Sequence, residues 1–138
     1  MTLLKQLREN SSLSPEQLAA AGAINLEWYY DLETDEDELT SNVSLDSIAR
    51  IAKALGVKPT ALYGMQSGEI VSLEKLASLV REHVERSGKS LSDFETEIGW
   101  SVAGALANPE EFRRFNVDGL RATAEAVGVA WPDVLDGL

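Results

Sequence analysis

The feature that most constrains the fold of this chain is a pattern that occurs twice. Leu18 and Ile24 are followed 76 residues later by Phe94 and Trp100, and Leu55-Gly56-Val57 is followed 72 residues later by Val127-Gly128-Val129. The punctuation between these landmarks also repeats: an amphipathic first helix, a short capped second one, a glycine turn, a third helix, a capped fourth, then a glycine and a proline-led fifth. Apolar residues keep helical spacing through both copies. The expected architecture is therefore all-α, with two tandem five-helix units at 1–64 and 73–138. The bland Gly64-Met65-Gln66-Ser67-Gly68 stretch opens a linker over 65–72.

In the first copy, Leu3, Leu4 and Leu7 share one helix face. Ser14-Pro15-Glu16-Gln17 then reads as a capping box with proline at the first helical position, and the Ala-rich helix it starts stops at Gly22. A third helix begins at Asn25 with Tyr29 and Leu32 inward. Ser44 caps a fourth whose Leu45, Ile48, Ile51, Ala52 and Leu55 face the core, and Pro59 opens a fifth with Leu62 and Tyr63 inward. In the second copy the long helix over 73–87 is expected to pack between the units or against a second subunit. Ser92 with Glu95 reads as a capping box, Ser101 to Ala107 as the third helix, and Asn116 as the cap of the fourth, with Leu120, Ala124 and Val127 inward.

Charge narrows the partners. The chain carries 12 basic and 23 acidic residues, a net of −11. Residues 1–68 hold five basic and ten acidic groups and residues 69–138 hold seven and thirteen, so neither half is a basic module with an acidic tail. Long-range steering toward phosphate is repulsive from either half. The absence of cysteine removes disulfides, thiol catalysis and sulfur-ligated metals, and a single histidine, His83, makes a zinc site or a Ser-His-Asp arrangement hard to build. His83, beside Glu82 and Glu85, reads as a solvated surface residue. Carboxylates are plentiful, yet no motif pairs two of them and no glycine-rich phosphate loop occurs, so no catalytic residue and no cofactor are expected. No run approaches the roughly 18 apolar residues of a membrane span. A cytoplasmic protein with no membrane contact is the default expectation.

A short capped helix, a tight turn and a second helix at fixed spacing form the helix-turn-helix pattern. Through Leu18-Ala19, Gly22-Ala23-Ile24, Tyr29, Leu32-Glu33, Ile48-Ala49, Ile51-Ala52, Leu55-Gly56-Val57, Pro59 and Leu62-Tyr63, residues 3–63 resemble the lambda-repressor-like, Cro/C1-type (XRE) helix-turn-helix family. Residues 73–135 are similar but more diverged, through Phe94, Gly99-Trp100-Ser101, Leu120, Ala124, Val127-Gly128-Val129 and Val134-Leu135. The resemblance implies that the third helix enters a major groove, with Asn25, Leu26, Glu27 and Asp31 facing the bases of duplex DNA and Trp28 and Tyr30 flanking them. Of these, Asn25 alone is of a type that pairs readily with a base, and Glu27 or Asp31 needs phosphate clamps elsewhere. The phosphate-holding start of helix two is Pro15, which has no donor. In the second copy the corresponding groove-facing positions are Ser101, Val102, Ala103 and Ala107, with Asp93 at the phosphate-holding place. The best phosphate candidates are Arg113, Arg114 and Arg121.

Seven carboxylates lie between Asn25 and Leu39 without a lysine or arginine. Thr34 followed by Asp35, Glu36, Asp37 and Glu38 is chemistry suited to starting a helix. The same residues, with Trp28 and Tyr30, also suit a surface that docks a protein partner with a basic face. Trp100 reads as core, and Trp131 as core or as a cover over the junction of the units. Two functions stay open. One is a DNA-binding transcriptional regulator, acting as a homodimer. The other is an acidic helix-turn-helix scaffold repurposed for protein–protein interaction, such as an antirepressor or antitoxin-like accessory regulator without direct DNA contact.

Overall fold

Side-chain caps set where the helices begin. In the computed structural model, which describes residues 2–138, Thr2, Ser14, Asn25 and Ser44 each accept a backbone N–H three residues on and so start α1 (Leu3–Glu9), α2 (Pro15–Ala21), α3 (Leu26–Thr34) and α5 (Leu45–Leu55). A one-turn α4 (Glu38–Ser41) lies between α3 and α5, and a 3-10 turn covers Pro59–Tyr63. Ser72, Ser90 and Asn116 do the same for α6 (Leu73–Ser87), α7 (Leu91–Ile98) and α9 (Val117–Ala126). α8 (Ala103–Ala107), a 3-10 segment at Pro109–Arg114 and α10 (Trp131–Leu135) complete the chain. The described residues contain no strand. Each cap satisfies a donor that water would otherwise have to meet, worth about 1 kcal/mol.

Three local expectations are corrected. The capping box of α7 is Ser90 with Asp93, not Ser92 with Glu95: both side chains of the Ser90 box bond the opposite backbone N–H. Ser92 instead lies within the helix, where its carbonyl accepts the Thr96 hydroxyl. The third helix of the second half starts at Ala103 rather than Ser101, because Glu95 reaches across the turn and accepts the N–H groups of Val102 and Ala103. Thr34 does not start a helix. It ends α3, with its hydroxyl donated to the Tyr30 carbonyl, and α4 begins after Asp37 with no side-chain cap.

Gly22 ends α2 for a reason other than backbone freedom. Its φ is −80°, while the left-handed residue is Ala23 at φ 57°. A Cβ at Gly22 would lie 2.8 Å from the Ile51 side chain, so the glycine is what allows α2 to approach α5. The Ser47 hydroxyl of α5 donates to the Gly22 carbonyl at 2.6 Å across the same contact.

Within the first half α1 packs on α3, α2 on α5, and α5 on the 59–63 turn; within the second, α6 packs on α8, α7 on α9, and α9 on α10. The long α6 thus buries Leu73, Leu76, Ala77 and Val80 within its own half. One continuous apolar core runs through both halves, from Leu4 and Tyr29 to Phe112 and Leu135. The halves meet reciprocally: α4 lies on α9, α5 on the 109–114 segment, and the 59–63 turn on α10. The Leu45 N–H donates to the Phe115 carbonyl at 2.8 Å, the Asn116 amide to the Ser41 carbonyl at 2.7 Å, and the Thr60 N–H and hydroxyl both donate to Asp136. Trp131 covers this junction, its ring edge-on to Tyr63 at 5.6 Å. The 65–72 segment is also held, by bonds from the Gly68 and Val71 N–H groups to Asp133.

Candidate interaction surface

α3 has two chemically different sides. Inward, Tyr29 and Leu32 are completely buried. Glu33 joins them, which its place in an acidic run conceals. Its carboxylate accepts the Arg8 guanidinium and, at 3.2 Å, the Tyr29 hydroxyl, while its carbonyl accepts the Thr2 hydroxyl. The hydrogen bond to Glu33 raises the Arg8 pKa above its ordinary value. Burial, then the negative charge of Glu33, pushes the Tyr29 phenol upward too. One of the seven acids is therefore a structural ion pair and not surface.

Outward, α3 presents Glu27, Tyr30 and Asp31, all exposed, with Leu26 half-buried. Tyr30 is 45% exposed. Trp28, expected outside with it, is half-buried and packs against the core, because its place on α3 turns it partly toward the interior. The Asn25 amide oxygen accepts the Trp28 N–H at 2.7 Å, so its principal acceptor is committed to capping. Past α3 the acids are partly tied locally: Asp35 accepts the Asp37 N–H at 2.9 Å and Glu38 accepts the Asn42 amide at 2.8 Å. Asp35, Glu36 and Asp37 are exposed and Glu38 is half-buried. α4 is anchored on the second half, where Ser41 donates to Asp118 at 3.0 Å. Glu36 and Asp37 lie by the start of α1 and the 59–63 turn, lining a pocket with Thr2, Leu3 and Tyr63, and no lysine or arginine occurs from Asn10 through Ala49.

The corresponding region of the second half is less open. Ser101 is exposed, and its hydroxyl supports the Glu95 carboxylate. The Val102 N–H, then those of Ala103 and Ser101's hydroxyl, hold Glu95 below its ordinary pKa of 4.5 against the opposing effect of burial. Val102 is completely buried and cannot face a groove, whereas Ala103 and Ala107 are exposed. Asp93 is occupied as the partner of Ser90 in the cap. Trp100 is half-buried and lies against Gly119, where a Cβ would meet the indole at 2.9 Å, and it stacks on Phe115 at 5.7 Å.

Each of the three arginines is paired locally with a glutamate. Arg113 pairs with Glu110 at 2.5 Å, Arg114 with Glu111 at 3.3 Å and Arg121 with Glu125 at 3.0 Å. Arg113 lines a groove against α5 together with Arg50, Lys53 and Lys58, three cations of the first half. Sequence reading missed that grouping; its local signal was the spacing of Arg50 and Lys53 on one helix. His83 is exposed, with its ring 5.5 Å from Phe94. Among the described residues no group of three or more His, Asp or Glu is placed to hold a metal ion, and no helix is long and apolar enough to cross a membrane. Comparison with protein-family models, with curated proteins and with solved structures finds no match.

Proposed function

We propose that the chain is two tandem helix-turn-helix units of the lambda-repressor type, working as an accessory regulator that binds a basic protein partner instead of gripping duplex DNA itself. The observation that carries this reading is the outward side of α3, which sets Glu27 and Asp31 where the family resemblance puts base-reading residues, with the exposed ring of Tyr30 on their flank. The Glu27 and Asp31 carboxylates, with no cation near them in sequence, repel a polyphosphate surface and attract lysine and arginine. Tyr30 supplies the apolar anchor that interfaces favour. The duplication is supported by the matched helix pairings and by the reciprocal packing of the halves, since mutual contacts of this kind are those of a two-fold arrangement. The second half thus takes the place a second subunit would occupy, and the reading makes the chain a monomer in place of the homodimer first expected.

Direct operator binding is the second reading, favoured by the helix-turn-helix resemblance alone. In it Asn25, Leu26, Glu27 and Asp31 face the groove, Ser101 lies near the second one, and Arg113, Arg114 and Arg121 leave their acidic partners for phosphate. Such exposed pairs are worth at most about 1 kcal/mol, so releasing them costs little. The readings separate by a capture experiment from cytosol. The native chain should retain a basic protein that the Glu27→Lys, Asp31→Lys variant loses. Retention of nucleic acid by the native chain, lost on raising the salt, would favour operator binding.

A further inference from the structure

The cations of this acidic chain are not scattered evenly. Four of its 12 lysines and arginines line one groove of about 430 Å³ where the halves meet. Arg50 and Lys53 come from α5, Lys58 from the residue that precedes the 59–63 turn, and Arg113 from the second half. Asp46 is the single acidic side chain of the lining, and Ala49, Val57 and Pro59 give it an apolar wall. We infer that this groove is a binding site for a small organic phosphate, a compact polyanion carrying an apolar portion.

Three observations carry the assignment. The groove is open to solvent, its volume falls in the range of small-molecule sites, and it sets an apolar wall beside four cationic side chains. Its cations are available. Lys53 and Lys58 have no ion pair among the described residues, while the Arg50–Asp46 and Arg113–Glu110 pairs are exposed one-turn pairs that a phosphate can displace. The site is also built by the fold: Arg113 is brought to α5 by the packing of the 109–114 segment on that helix, fixed by the Leu45–Phe115 backbone bond.

Net charge decides the size of the ligand. At physiological salt, charges more than about 8 Å apart are largely screened, so a compact dianion in the groove feels the four nearby cations against Asp46 and Glu110, a local surplus of positive charge, and little of the −11 total. A duplex must run far past the groove over surfaces rich in carboxylate, and phosphate repulsion accumulates along it. The ligand is therefore a free small molecule and not a nucleic-acid backbone. The site is separate from the outward side of α3, and its failure leaves the reading of that surface untouched.

The test is calorimetric titration of the full chain with pyrophosphate and with adenosine monophosphate at physiological ionic strength, where the distant carboxylates are screened. One-to-one binding is expected, tighter for the nucleotide. Lys53→Gln with Lys58→Gln should weaken it at least tenfold, with an unchanged melting profile. Asp46→Asn, which removes the one acidic side chain of the lining, should tighten binding severalfold. Absence of binding for both anions overturns the assignment. So does affinity indifferent to all three substitutions, or a duplex that binds through the same lysines more tightly than either small anion.

Discussion

The ion pair between Arg8 and Glu33 offers the sharpest test of the first half's packing. Their side chains are 16% and 6% exposed, so both charges are largely withdrawn from water. Arg8→Met keeps most of the apolar stem but leaves the Glu33 carboxylate with the Tyr29 hydroxyl as its remaining side-chain donor. Breaking one side of a buried pair costs about 3–5 kcal/mol, and the residual exposure of Arg8 puts this case near 3 kcal/mol. Glu33→Gln removes a charge but keeps the shape and an acceptor, so about 1.5 kcal/mol is expected. In the double variant the uncompensated carboxylate is gone, and it should be no less stable than Arg8→Met alone, a coupling of about 1.5 kcal/mol. Urea unfolding followed by circular dichroism reads this directly. With a slope near 2 kcal/mol/M, Arg8→Met should lower the midpoint by roughly 1.5 M. Strictly additive losses, or an Arg8→Met midpoint within a few tenths molar of the native one, would show that the pair is solvated and that the burial of Glu33 is misread.

Other expectations follow from the same contacts. Glu95 has a lowered pKa in the folded chain, so its contribution is present above its ordinary value of 4.5 and lost as the pH falls through the lower folded value. Glu95→Gln should therefore cost about 0.5 kcal/mol at neutral pH, a gap in melting profiles that closes in acid. Gly119→Ala sets a methyl 2.9 Å from the Trp100 ring and should destabilise by about 1–3 kcal/mol, with a shift in indole fluorescence. Light scattering should give 15.0 kDa, a monomer, at micromolar concentration; a stable dimer would contradict the reading of the second half as an internal partner.

What sequence could and could not tell followed the range of the interactions. Ser14, Ser44 and Asn116 are legible as caps because the group each satisfies is three residues away, whereas Asn25 reads as the start of a helix and its role as the cap of α3 emerges only in the structure. Ser90 and Ser92 both precede an acid by three residues, so the local pattern fits either as the cap; in the structure Ser90 caps α7, with Leu91 packed against the core. Glu33 looked like its exposed neighbours because its partner, Arg8, lies 25 residues earlier on another helix. Gly22 read correctly as the end of α2, but the steric demand of Ile51 behind it is a tertiary fact. Val102 looked like a surface position until the start of α8 moved two residues, which turned it inward. The grouping of Arg113 with Arg50, Lys53 and Lys58 likewise required the halves to meet.

The central claim is that the outward side of α3 carries negative charge where a DNA reader carries positive charge. Fluorescence anisotropy with a labelled mixed-sequence duplex at low ionic strength tests it most directly. The native chain should leave the anisotropy flat to roughly 10⁻⁴ M, the weak edge of ordinary non-specific binding, while Glu27→Lys with Asp31→Arg should bind and release with rising salt. Tight binding by the native protein, weakened by the same two substitutions, would contradict the account.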